Sequence, residues 1–400
     1  METYALLLLF SLLISLHTCH GRLVHVVTMW RHGDRAPTET FPNDPNQASA
    51  WPLGWGQLTT RGMEDLYQQG LKLKKRYIDD FAFVNSTYKH DEVYFRSTDY
   101  DRTLASAYSN LAGFYKDSVG TFPKNRTWPY AYSPIPVHTV EGKGDQLLNV
   151  FRKCPRQLQL ADEQATYPNF TKFLDRHRPF FDFLTNVSGG YEVNNTPFFD
   201  FLTNVSGGYE VNNTVDLHNI LDPIKCEKLH NMPLANWVTP ELYSKGRRIE
   251  EEARNFIYGA AGFGKPENVE FVKINAGVLL QDVITRFLKA KAGESQPRYV
   301  GYSTHDTTIS AFLRTLGANM AITKGKNVDY GVIVALELWK FGGNYYVSLQ
   351  YSANAKTPFK TMTSTISGCP KSGFCPLETF LARSQKYVVK DPERECEATK

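Results

Sequence analysis

Two arginines flank one histidine in Arg31-His32-Gly33-Asp34-Arg35-Ala36-Pro37. A guanidinium is planar and permanently charged, and its fork of N–H donors matches the oxygens of a phosphate. Nearby positive charge disfavours imidazolium, so His32 is expected to stay neutral and nucleophilic even in mild acid. That is the form an in-line attack on phosphorus requires. Gly33 is expected to let the backbone approach the bound group closely. Two further pieces lie far along the chain: Arg96 in Phe95-Arg96-Ser97-Thr98, and His305-Asp306. Asp306 is the expected proton donor to a leaving alcohol. The arginines favour its ionised form, whereas a bound phosphate and an acidic medium favour the protonated one. Taken singly, each piece has an ordinary explanation. Arg-His-Gly occurs in surface turns by chance, Arg96 alone could be a structural ion pair, and His-Asp could cap a helix.

The flanking residues supply elements that can bring these pieces together. Leu23 to Met29 reads as a short buried strand that ends at the Arg-His-Gly turn. Glu92 to Arg96 reads as a second strand, with Thr98 and Asp101 at capping-box spacing before a helix face of Leu104, Ala107, Tyr108 and Leu111. Arg298 to Ser303 is a third strand, followed by a helix from Thr308 to Leu316 that Gly317 stops. Another helix, from about Thr60 to Tyr77, has Thr59 or Thr60 as its cap. Two β-rich runs, Gly331 to Trp339 and Asn344 to Tyr351, meet at Gly342-Gly343 as a hairpin. Strand ends in an open α/β sheet are where ligands bind, and a helix N-terminus beside them favours an anion. The expected fold class is α/β: a mixed, mostly parallel sheet with helices on both faces, plus a smaller α-helical insertion domain. Residues 1–21 are expected to be a signal peptide, and 22–130 the first part of the α/β domain. Residues 131–234 form the helical cap and 235–400 the second part.

Bulk properties narrow the class. The 400 residues carry 45 Lys and Arg against 41 Asp and Glu, a mild excess on a large surface. The densest basic run, Lys72 to Arg76, fits a helix terminus better than a nucleic-acid stripe, so no nucleic-acid partner is expected. The apolar run from Leu6 to Leu16 is too short to span a bilayer and suits a secretory signal. Sequons at Asn85, Asn125, Asn169, Asn186, Asn194, Asn204 and Asn212 agree with a glycosylated, secreted or lumenal chain. Cys19 is expected to leave with the signal, so five cysteines remain, and an odd count leaves one thiol unpaired. No dense Asp, His and Cys cluster suggests a binuclear metal site. His25 is read as a sheet residue and His138 as structural. Residues 179–196, PFFDFLTNVSGGYEVNNT, recur without a mismatch at 197–214. Two copies do not make a solenoid, and the repeat is read as neutral or erroneous rather than functional.

Further strings complete a pattern: Ser49-Ala50-Trp51-Pro52, Gly56-Gln57-Leu58-Thr59, Arg96-Ser97-Thr98-Asp99-Tyr100-Asp101-Arg102-Thr103, Pro136-Val137-His138-Thr139-Val140, Ser303-Thr304-His305-Asp306-Thr307-Thr308, Gly368-Cys369-Pro370 and Cys375-Pro376-Leu377-Glu378. With the Arg-His-Gly-Asp-Arg-Ala-Pro string, they give the chain a close resemblance to the histidine acid phosphatase family, in its prostatic and lysosomal branch. The resemblance implies His32 as nucleophile, Asp306 as general acid, and Arg31, Arg35, Arg96 and His305 as phosphate ligands. It implies no metal and no cofactor, disulfides Cys154–Cys396 and Cys369–Cys375, and an unpaired Cys226. The substrates would be small-molecule or protein phosphate monoesters, the chain a possible homodimer without a membrane anchor. Two other readings stand beside an unselective acid phosphatase. A phytase-like enzyme would need extra basic residues at the mouth of the site, whereas Trp51 and Trp55 suggest an aromatic one. A non-catalytic secreted glycoprotein would use the same pocket to bind phosphorylated ligands.

Overall fold

The structure, a computed structural model, describes residues 21–125, 127–129, 132–190 and 217–398. The signal segment, the sequons at Asn194, Asn204 and Asn212, and the second copy of the repeat lie outside them.

The strands are β1 (Arg22–Arg31), β2 (Val93–Ser97), β3 (Tyr299–Thr304), β4 (Ile333–Phe341), β5 (Asn344–Ser352), β6 (Lys360–Thr361) and β7 (Cys375–Pro376). They form one sheet in the order β2-β3-β1-β4-β5-β6, with β7 also on β5. The sheet is mixed. Its parallel part is β2, β3 and β1, and everything from β4 onward pairs antiparallel. The parallel part sets the site. Arg31 is level with Thr304, and Ser97 with Ser303, so three strands stop side by side. Residues far apart in sequence, such as Arg31 and Thr304, thus become neighbours at one end of the sheet, the usual binding end of such folds.

The helices are α1 (Thr60–Lys74), α2 (Asp101–Phe114), α3 (Pro155–Ala165), α4 (Pro168–Val187), α5 (Leu217–Leu229), α6 (Pro240–Ile257), α7 (Val269–Ala292), α8 (Asp306–Thr315), α9 (Asn319–Thr323), α10 (Leu377–Ser384) and α11 (Pro392–Glu395). Thr59 caps α1 by accepting the Gly62 N–H. One face of the sheet packs Val26 and Trp30 with Leu66, Leu73, Leu111 and Phe114 of α1 and α2. The other packs Val27 and Met29 with Leu279, Phe287 and Phe312 of α7 and α8. Apolar alternation along β1 therefore feeds two cores, each sealed by a helix pair.

Between α3 and β3 lies a region whose regular elements among the described residues are helices, and Pro opens α3, α4 and α6. Phe170, Phe173, Phe256 and Phe263 pack ring on ring within it. Its apolar core is continuous with the α7 side of the sheet. Disulfides join Cys154 to Cys396 and Cys369 to Cys375, and Cys226 is buried and unpaired. Asn85, Asn125, Asn169 and Asn186 are exposed. The basic run at the end of α1 is engaged within the chain: Lys72 with Ser352, Lys74 with Asp79, Lys75 with Asp80 and Arg76 with Glu337.

One local expectation fails. Helix α2 begins at Asp101 with Tyr100 as a cap that makes no side-chain bond. Thr98 does not cap it. Its hydroxyl donates to Thr103 Oγ1 and lies 3.0 Å from His305 Nε2. Tertiary demand from His305 outweighs the local capping pattern.

Candidate active site

Strand β1 delivers Arg31, and the chain turns sharply at once. His32 N–H donates to Thr304 O at 2.9 Å and His32 O accepts from Gly331 N–H at 3.1 Å. Gly33 follows, but not for the reason its type suggests. A Cβ there would sit 2.4 Å from Gly62 O of α1, so the glycine admits a neighbouring helix rather than a ligand. Asp34 then anchors the turn: Thr59 Oγ1 donates to its Oδ2 at 2.5 Å, and His230 Nε2 lies 2.5 Å from the same oxygen.

His32 is buried, and its Nδ1 lies 2.9 Å from Gly33 O. A carbonyl only accepts, so Nδ1 carries the hydrogen and Nε2 the lone pair. Burial holds the ring's pKa well below the usual histidine value, helped in turn by Arg31, Arg102, His305 and Arg35. His305, the N-cap of α8, is also held well below by burial and then Arg102. The His32 and His305 rings lie 5.5 Å apart, edge to face. Because Thr98 gives its own hydrogen to Thr103, it accepts from His305 Nε2–H, which fixes the ring.

Asp306 opens α8. Its Oδ2 is 3.1 Å from Arg31 Nη2, 3.8 Å from Arg254 Nη1 and accepts from Asn327 Nδ2 at 2.5 Å. Burial would raise its pKa, but Arg31, Arg254 and the Asn327 bond outweigh it and hold the carboxyl well below the usual range. Arg31 also donates to Val328 O at 2.7 Å and stacks on Tyr330, its Cζ 4.2 Å from the ring centre. Arg35 is buried against Asp222 of α5, with Nη1 and Nη2 at 2.7 and 3.2 Å from the two carboxylate oxygens.

Of the sequence-selected residues, Arg31, His32, Arg35, His305 and Asp306 converge. Arg96 stands apart. It sits one residue before the end of β2, and its guanidinium is ion-paired with the fully buried carboxylate of Asp145. The arginine that joins the cluster is Arg102, in the first turn of α2. Burial lowers its pKa to about 10, with Arg35 and Arg31 adding to the effect and Tyr100 and Asp306 opposing it. Arg102 lies in the same eight-residue string as Arg96, so the string was the available signal. The Nε atoms of Arg31, Arg35 and Arg102 are buried without a protein partner. Three guanidiniums with open donor edges, around a histidine with a free lone pair, form a cradle for a tetrahedral oxyanion.

Other candidates resolve differently. Trp51 is buried against Ala36 and Cys226 and meets His230 edge-on, whereas Trp55 is half-buried beside it. His138 stacks on Tyr94 at 4.9 Å beside β2. His25 is buried on β1 against Phe287. Lys225 of α5 was not legible in the sequence. Its Nζ lies 4.4 Å from the centre of the Tyr330 ring that Arg31 also covers. Burial, and then Arg31, lower its pKa to about 8.

The chain is similar to known proteins over nearly its whole length. Residues 22–352 match the sequence profile of the histidine phosphatase superfamily (branch 2). Rat prostatic acid phosphatase is 33% identical over 402 residues, 99% of this chain and 96% of that protein. Human lysosomal acid phosphatase is 32% identical, covering 98% and 84% respectively. Among solved structures, the phytase from Citrobacter braakii superposes with a TM-score of 0.64 at 18% identity, over 94% of this chain and all of that one. The match runs from the first residue of β1 to the last of β5, the span that holds every converging side chain, and the chain belongs to branch 2 of the histidine phosphatase superfamily.

Proposed function

We propose that the protein is an acid phosphatase that hydrolyses phosphate monoesters through a covalent phosphohistidine at His32, in a secreted or lumenal compartment. The observation that carries the reading is the Nδ1 contact of His32 with Gly33 O, which leaves Nε2 as a lone-pair donor among Arg31, Arg35 and Arg102. Nε2 attacks phosphorus as the P–O bond to the leaving group breaks, and Asp306 gives the departing oxygen a proton. The imidazole then carries positive charge, and Gly33 O stabilises its Nδ1–H. Water next attacks the phosphohistidine. Asp306 takes the water's proton, phosphate leaves, and His32 returns neutral.

The proton on Asp306 needs a source, because the free site holds this carboxyl ionised. The substrate supplies it. A phosphate monoester loses its second proton near pH about 6, so it arrives at lower pH as a monoanion. Among three arginines the dianion is favoured, and the proton moves to Asp306. The arginine edges hold the non-bridging oxygens, and a bound anion favours imidazolium at His305, whose Nδ1–H then donates to one of them while Nε2–H stays on Thr98. The two disulfides and four exposed sequons support an oxidising, lumenal setting.

Rapid quench with radiolabelled aryl phosphate tests the mechanism. Acid-labile, base-stable label is expected on the peptide containing His32, in the presence of chelator. Label elsewhere, or none during steady turnover, overturns the phosphohistidine. A second, phytase-like reading is favoured by Lys225 and Arg254, which α5 and α6 bring near Arg31 and Asp306, and by Arg247 beside Lys225. A kcat/KM at least about tenfold higher for inositol hexakisphosphate than for an aryl phosphate would establish it.

A further inference from the structure

The carboxylate of Asp222 belongs to α5, outside the strand-end strings, yet it meets the end-on edge of Arg35 with both oxygens. Arg35 has five N–H donors. Nη1 gives one hydrogen to Asp222 and one to Ala36 O at 3.0 Å. Nη2 gives one to Asp222, and Nε has no protein partner. Two parallel hydrogens therefore remain, on Nε and Nη2, and they form the side-on edge of the guanidinium. Asp222 is itself held ionised: burial would raise its pKa, but Arg35, His218 and Lys225 lower it well below the usual range. A fixed anion thus occupies one edge of Arg35 and presents the other.

We infer that Asp222 is a positioning residue, which selects the side-on edge of Arg35 for the phosphoryl group and holds it in register with His32. The inference rests on the reading of Arg35 as a phosphate ligand. It adds that α5, and not the catalytic turn alone, determines how the oxyanion is gripped. A grip fixed before substrate arrives acts most on the spread equatorial oxygens of the five-coordinate transition state, and less on ground-state phosphate.

The test compares inhibition of aryl phosphate hydrolysis by vanadate, which adopts five-coordinate geometry, with inhibition by phosphate, which stays tetrahedral. Asp222→Asn keeps the volume but loses the charge and one acceptor. Its vanadate inhibition constant is expected to rise at least about tenfold and that of phosphate less than about threefold, with kcat falling more than KM changes. His230→Asn is the control. It removes a separate polar contact between the residue after α5 and the catalytic turn, at Asp34, without touching Arg35. It should leave the vanadate-to-phosphate ratio within about twofold of wild type. An unchanged ratio in Asp222→Asn, or the same change in both variants, overturns the inference. Should Asp222→Asn not fold, Asp222→Glu carries the test, because it keeps the charge but moves the fork, and the same selective loss is expected. Arg35→Ala separates the two levels. If it leaves both inhibition constants unchanged, the reading of the site itself is wrong. If it weakens both while the Asp222 variants keep the wild-type ratio, only the positioning role is wrong.

Discussion

Two arginine networks are built onto the same sheet. On β4, the fully buried Glu337 accepts from Arg76 Nε and Nη2 at 2.6 and 2.9 Å, from Tyr77 Oη at 2.8 Å and from Trp339 Nε1 at 3.0 Å. Every lone-pair direction of that carboxylate is used. At the strand ends, Arg31, Arg35 and Arg102 are gathered around two neutral histidines, and each keeps a buried Nε without a partner. Like charges are held together there, and donors are left open. Arg96 and Arg314 also have an unpartnered Nε, so an open donor alone is no marker of a site. The marker is convergence of several on one histidine. The Glu337 network satisfies itself and holds the fold, whereas the strand-end cluster leaves donors open to an anion from outside.

Each network can be broken separately. His32→Ala should give the largest effect, a loss of about 10⁴-fold or more in kcat with an aryl phosphate, while the thermal midpoint stays level or rises. Activity and stability falling together would erase the distinction. Glu337→Gln should do the reverse. It leaves the partly buried Arg76 guanidinium without a charge partner and should cost about 3 kcal/mol in denaturant unfolding, with kcat/KM of the folded fraction within about twofold of wild type. Arg102→Ala and Arg96→Ala sharpen the contrast inside one eight-residue string. The first should raise KM for aryl phosphate about tenfold or more, and the second should leave KM within about threefold while lowering stability. Equal changes in KM would return Arg96 to the site.

The smallest expected effect comes from a histidine in neither network. Burial, with a smaller contribution from Arg286, lowers the pKa of His25 from 6.5 to about 3. The unfolded chain therefore binds a proton here before the folded one does, and stability is lost as pH falls from 6.5 towards 3. At pH 5 the deficit is about 2 kcal/mol, at roughly 1.4 kcal/mol per pH unit. Neither ring nitrogen has a partner, and Phe287 lies edge-on beside the ring, so a phenyl group fits the site. His25→Phe should be near neutral at pH 7 and gain about 2 kcal/mol at pH 5 in urea unfolding. Equal gains at both pH values would show a packing effect instead.

The contrast also explains what could be read in advance. The first strand, its turn and the His-Asp pair were legible because apolar alternation and turn residues sit next to the reactive types. The choice between Arg96 and Arg102 was not. It depends on Asp145, 49 residues beyond Arg96, which takes the first guanidinium, and on the first turn of α2, which brings the second to His32. Gly33 was legible as a close approach, but its neighbour Gly62 was not. Asp222 and Lys225 carry no local pattern at all, because they reach the site only through the docking of α5. Thr98 followed a capping rule on paper and was claimed by His305 instead. Local propensity described each element, and contacts distant in sequence decided which side chains face the site.

The bond between Cys154 and Cys396 closes a covalent ring of the chain, with a sequence separation of 242. His305, Asp306 and Asp222 lie within the ring, and His32 lies outside it on the long N-terminal segment that leads to Cys154. A protease cut anywhere between the two cysteines would open the ring without releasing either piece. His32 and Asp306 would stay on one covalently joined molecule, and only reduction after cleavage would part them. In a lumen that is both proteolytic and oxidising, such a nicked form is expected to keep its mass on a non-reducing gel and lose it on a reducing one.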